Sequence, residues 1–407
     1  MKKTLLLSLL SFALFAQTPE VTSWLINPGG QTGYAGIPSN VQLVQYSANN
    51  VFVTTTCIPD YSIGPWTANP NIPVNQNFLF KITRNPVQNA GTPVNTPLGH
   101  IGVWTNGVSI FNAKDGMSYN NQGIWNRDAY VFEGISFDNC LGHPAPNGEY
   151  HLHVNPTCLY DDTDSTVHAP IIGYAFDGFP IYGSFGFSNV NGTGPTRKMQ
   201  TSYRLRSITS RTTLPNGTVL NTAQYGPAIG GTYPLGAFLE DYEYVPGLGD
   251  LDEHNGRFCI TPEYPSGIYA YFVSIGVNEV PLYPYVIGPT YYGVIQPGNT
   301  GPGSGHNTIN EPVVTYVPGT TVVPMYNNET PLLTISSQSG EVVFVAGTGI
   351  APDAMVTFTD ISGRVIKQYN NIQADVENIL PVSALSHGIY ILSLQSGNTV
   401  ISKKLVH

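Results

Sequence analysis

The sequence predicts an all-β protein, mostly β with long irregular loops, and three observations carry that expectation. Charged residues are only 10% of the 407, while Gly (43), Pro (33) and Tyr (25) abound. Turn formers and aromatics in that balance favour strands over helices. Short apolar runs alternate between Gly, Pro and Asn breaks, as half-buried strands do. The last 70 or so residues carry several such runs at regular spacing, which suggests a separate small β-sandwich. The expected organisation is a signal peptide (1–16), a large N-terminal β domain (17–295), a flexible linker (296–333) and a small C-terminal domain (334–407).

Taken in order, Lys2 and Lys3 supply a charged start, Thr4 to Phe15 a mostly apolar run, and Ala16-Gln17 a cleavage point. The run is too short to span a bilayer comfortably, and no other stretch approaches transmembrane length. Val21 to Thr56 reads as irregular, with Pro-Gly-Gly and Ser-Asn breaks. Phe78 to Arg84 alternates as a strand. His100 to Phe111 reads as a hairpin whose Asn106-Gly107 pair supplies a type I′ turn. Ala129 to Glu133 reads as a short strand. Ile171 to Tyr182 is a second hairpin turning at Asp177-Gly178, with Pro180 placing its second arm at an edge or irregular end. Residues 187–235 are long polar excursions. Asp250 to Arg257 concentrates charge, with Asp252 and His254, ahead of a strand at Ile268 to Val273. Gln296 to His306 is linker by composition. Val342 to Val345, Met355 to Thr359, Arg364 to Tyr369, Gly388 to Leu394 and Val400 to Val406 are the strands of a small Ig-like β-sandwich.

Chemistry concentrates between Cys140 and Cys158, which enclose His143, His151 and His153. Tyr150-His-Leu-His-Val154 alternates with a period of two. Tyr150, Leu152 and Val154 therefore share an apolar face, and His151 and His153 share the other. Their Cα atoms fall about 6.5–7 Å apart, near enough for both rings to reach one ion. Imidazole is the commonest protein metal ligand, because it is largely uncharged at neutral pH. His143 or His254 is the candidate third ligand, and Asp252 a candidate carboxylate. Behind a signal peptide the cysteines are free to oxidise. Cys140–Cys158 is the preferred pair, worth ~3 kcal/mol in the chain-entropy model, which leaves Cys57 and Cys259 to pair by default.

Two stretches resemble known families. Asp360-Ile-Ser-Gly-Arg-Val-Ile366, Leu385-Ser-His-Gly-Ile-Tyr-Ile-Leu392 and Lys403-Lys-Leu-Val406 resemble the type A sorting domain of the type IX secretion system. That resemblance implies Sec export, recognition by the type IX machinery, and delivery outside the cell or to an outer-membrane-anchored surface position. Ser23 to Tyr292 resembles the YHYH-domain family of secreted proteins. The matching residues are Ile101-Gly-Val-Trp-Thr-Asn-Gly-Val108, Trp125-Asn-Arg-Asp-Ala-Tyr130, Gly142-His-Pro-Ala-Pro-Asn-Gly-Glu-Tyr-His-Leu-His153, Ile172-Gly-Tyr-Ala-Phe-Asp-Gly-Phe-Pro-Ile-Tyr-Gly183 and Leu251-Asp-Glu-His-Asn-Gly-Arg257. Leu152 replaces the second tyrosine of the tetrapeptide that names the family. Position 152 belongs to the core face, so both histidines are spared. The resemblance supplies no activity.

A net charge of −10 without an internal basic cluster excludes nucleic acid as a partner, because phosphate binding needs a basic footprint. The leading expectation is a secreted or cell-surface protein that binds copper or zinc through its histidines. A surface module for glycan or matrix is the alternative, on the strength of its aromatic residues. A zinc-dependent hydrolase, with Glu149 on the histidine face as base, comes third. No nucleophile stands in a recognisable catalytic motif, so no catalytic residue is assigned.

Overall fold

A computed structural model describes residues 18–318 apart from 28 and 302, and from 334 to 406 the strands with part of their connections. The expected signal peptide and residues 319–333 of the expected linker lie outside the described residues. The chain is all-β, and the two α-helical segments among the described residues are single turns, Pro19–Thr22 and Ala129–Phe132. No described helix is long and apolar enough to cross a membrane. The residues group into one unit, Phe15–Pro318, and a second that holds Gly319–His407.

The larger unit is built on an eight-stranded mixed sheet. Its spatial order is Gly256–Cys259, Ile268–Phe272, Pro180–Tyr182, Ile171–Ala175, His100–Trp104, Ser109–Phe111, Tyr150–Leu152, Gly142–Pro144. Both faces are covered, so its strands read as near-continuous apolar runs. Val103, Tyr174, Tyr182 and Phe272 point into one core with Val44, Val53, Phe80 and Ile82 of a four-stranded sheet. Ile101, Ile110, Ile172, Ile181 and Tyr271 enter a second core with Tyr150, Leu152 and the tyrosine-rich segment at Tyr283, Tyr285 and Tyr291.

Several local expectations are corrected. Val21 to Thr56 is not irregular throughout: Val41–Tyr46 and Asn50–Thr55 form a hairpin in the four-stranded sheet, closed by the Ser47 N–H on Asn50 O. In the 100–111 hairpin only Gly107 has positive φ (82°). A type I′ turn needs it at both central positions. The loop instead closes with Gly107 N–H on Trp104 O and Trp104 N–H on Val108 O. Pro180 lies in an interior strand, between Ile171–Ala175 and Ile268–Phe272, and is tolerated there as the strand's first residue. Residues 296–316, expected as linker, are tied down. Asn299 accepts from Lys81 N–H, Asn307 donates to Leu79 O, and Val314–Tyr316 adds an edge strand beside Val41–Tyr46. Cys57 and Cys259 are separate buried thiols. Cys57 Sγ lies 3.1 Å from Tyr150 O and 3.4 Å from Ser109 Oγ.

The C-terminal unit holds a three-stranded and a four-stranded antiparallel sheet. Phe344 of the first, and Ala346 just past the end of its strand, share one core with Val356, Phe358, Leu392 and Leu394 of the second. Thr334–Gln338 and Glu377–Pro381 add strands to the five read from sequence.

Candidate metal centre

The site is made by register. Gly142–Pro144 pairs antiparallel with Tyr150–Leu152 so that His143 stands directly opposite His151. The loop between them is closed by Gly148 N–H on Ala145 O and Ala145 N–H on Glu149 O. Gly148 has φ 77°, and a Cβ there would meet Val74 Cγ2 at 2.7 Å and Ile72 O at 2.8 Å. The position therefore needs glycine for both conformation and space. The Cys140–Cys158 bridge encloses this hairpin and His153. Beneath it Tyr150, Leu152 and Val154 are fully buried in one core, as the alternation requires. The Tyr150 hydroxyl donates to Asp138, whose carboxylate also accepts the N–H groups of Cys140, Gly142 and Gly64.

On the opposite face the three imidazoles converge. His151 Nε2 lies 3.0 Å from His143 Nε2 and 3.1 Å from His153 Nε2, and all three residues are at most 5% exposed. The outer nitrogens fix the tautomers. His151 Nδ1 donates to Glu149 O at 3.0 Å and His153 Nδ1 to Asn112 O at 2.6 Å, because a carbonyl can only accept. Ser136 Oγ spends its proton on Glu133 O and so accepts from His143 Nδ1 at 2.7 Å. Each ring thus holds its Nδ1 proton outward and turns Nε2 inward, the arrangement that orients a metal-binding histidine.

Burial, then the neighbouring His153, pushes His143 down to about 4. Burial followed by the other two imidazoles drives His151 well below the ordinary histidine range. Nitrogen lone pairs this close repel unless a cation, proton or metal, lies among them. A tetrahedral ion with ~2.0–2.1 Å Zn–N bonds sets N···N edges of about 3.3 Å. The two observed separations fall within a few tenths of that. Phe111 stacks on His151 at 3.7 Å, and Phe137 meets His143 edge-on at 4.8 Å, so the walls are apolar and the rings have little freedom.

His143, His151 and His153 form a cluster able to hold an ion among the described residues. The other two proposed ligands are not brought to it. Asp252 and His254 lie in the turn before Gly256–Cys259, the strand at one edge of the sheet, whereas the hairpin forms the other edge. Asp252 Oδ1 accepts from Tyr269 Oη and from His254 and Gly256 N–H. His254 Nδ1 is engaged by Thr290. Their role is to build a turn. Glu149 is also corrected as a candidate base: its carboxylate is occupied by His100 Nδ1 at 2.9 Å and Ser109 Oγ at 2.6 Å.

Glu133 is the residue that sequence reasoning missed. Its Oε2 lies 3.2 Å from His153 Nε2 and 3.6 Å from His143 Nε2. Burial alone would raise its pKa. Where His153 Nε2, and then His143, carries a proton, the attraction outweighs burial and holds the carboxyl below its ordinary range. The expected strand at Ala129 to Glu133 is a helical turn, because Asp128 caps it by accepting the Tyr130 and Val131 N–H groups. That capping aspartate was the available signal. Beside Glu133, burial and then the negative charge of Glu133 raise the Asp115 carboxyl to about 6.

A family model described as YHYH protein matches residues 79–284. A second, described as a secretion system C-terminal sorting domain, matches residues 332–407. No curated protein matches the chain.

Proposed function

The chain belongs to the YHYH protein family, and from that premise we propose that its large unit is a binding site for a transition-metal ion, copper or zinc, held by His143, His151 and His153. The sorting domain directs the chain to the cell surface or the extracellular space and implies recognition by the type IX machinery. The Cys140–Cys158 bridge suits such an oxidising destination.

One observation carries the metal reading. Three Nε2 atoms meet at 3.0–3.1 Å steps while all three Nδ1 protons are donated outward. Borderline ions such as copper and zinc suit imidazole ligation. The test is elemental analysis of protein purified without a histidine tag. About one equivalent of metal is expected in the parent, and none in the His151→Ala/His153→Ala double variant. Equal metal content in both ends the reading.

A further inference from the structure

Beyond the histidines, the position of one carboxylate is unassigned, and its geometry is specific. We propose that Glu133 supplies the fourth ligand of the ion through Oε2, so that the centre is three histidines and one glutamate. This rests on the metal reading above.

The distances carry it. Four ligands around a tetrahedral ion lie along edges of about 3.3 Å. Glu133 Oε2 is 3.2 Å from His153 Nε2 and 3.6 Å from His143 Nε2, on either side of that edge, while the two N···N separations of 3.0 and 3.1 Å fall just short of it and His151 stands across the set from the carboxylate. The backbone that carries it is tied to the same serine: Glu133 O accepts from Ser136 Oγ at 2.7 Å, the hydroxyl that receives the His143 Nδ1 proton. One serine is therefore bonded to two residues of the set.

The charge count agrees. Three neutral imidazoles leave a divalent ion with its full +2 in an apolar-walled site, and one carboxylate reduces that to +1. Access follows as well. The Glu133 side chain is 29% exposed, against 3% for His153 and 7% for His143. Glu133 is therefore the ligand through which an ion would enter and leave.

The experiment is cobalt(II) and zinc titration of the full chain, read by the visible cobalt bands and by competition with a chromophoric chelator. Glu133→Gln should shift the cobalt bands and weaken zinc 10- to 100-fold or more. Glu133→Asp, which keeps the charge but retracts it by one methylene, should fall between. Far-ultraviolet circular dichroism checks that each variant is folded, which the exposure of Glu133 favours. Parental affinity and spectrum in Glu133→Gln, with binding lost in His151→Ala/His153→Ala, overturn the fourth ligand and leave the three-histidine reading standing. A parent that takes up neither cobalt nor zinc, and no copper when titrated with it, overturns both.

Discussion

Removing the Cys140–Cys158 bridge should weaken the metal site as well as the fold, and the size of the effect follows from the loop it closes. The sequence separation is 18 residues. The chain-entropy model then gives about 11 cal/mol/K, or ~3 kcal/mol at 25 °C. All three histidines lie inside that loop. The hairpin that carries two of them is the outer edge of the sheet, and Gly142–Pro144 has a partner on one side only. Order lost on cutting the bridge therefore falls first on this hairpin, because the interior strands remain paired on both sides. If the whole ~3 kcal/mol fell on the organised site, metal affinity would drop on the order of 100-fold. The expected result for Cys140→Ser/Cys158→Ser is an affinity 10- to 100-fold weaker and an unfolding free energy lower by about 3 kcal/mol. Chelator competition and urea unfolding measure the two quantities. Parental affinity in a variant that has lost the full stability would refute the inference that the bridge holds the site.

Two further outcomes follow from buried groups. Gly148→Ala should cost more than ~1 kcal/mol by urea unfolding, since it combines a positive φ with a clash against Val74 and the Ile72 carbonyl; unchanged stability would deny that the loop needs glycine. Asp177 is fully buried under Tyr271 Oη and the Gly293 and Phe179 N–H groups, and burial raises its carboxyl from 3.8 to about 6. The folded state thus holds this proton more tightly than the unfolded chain. Its contribution is complete below pH ~4 and is lost as pH rises through about 6, by up to ~3 kcal/mol. Asp177→Asn should flatten the stability profile across that window, and an unaltered slope would exclude Asp177 as its source.

How much was legible depended on whether the signal was local. The period-two alternation of Tyr150 to Val154 assigned the two faces correctly, because one face had to be buried and a strand offers no third direction. The 18-residue spacing of Cys140 and Cys158 likewise reports a local loop. His254 and Asp252 could not be placed this way. Their charge was visible, but which edge of the sheet their turn occupies depends on the pairing of distant strands. Glu133 was hidden by a short apolar run that reads equally as strand or helix. The aspartate before it decided the matter by offering its carboxylate to two free N–H groups. Residues 296–306 resembled a linker because Gly and Pro make up more than half of them, yet Asn299, and Asn307 just beyond, supply the hydrogen bonds that pin this stretch to Lys81 and Leu79. Composition reports backbone freedom and is blind to such specific ties.

Two of the three acceptors that hold the imidazole Nδ1 protons are main-chain carbonyls, at Asn112 and Glu149. No single substitution deletes a carbonyl, so drift in side-chain identity at those two positions leaves the ring orientations intact. Heritable damage to this aiming system has one inexpensive target, the hydroxyl of Ser136. Members of the family that have exchanged that residue for an apolar one would be where a changed centre, or an abandoned one, is first to be sought.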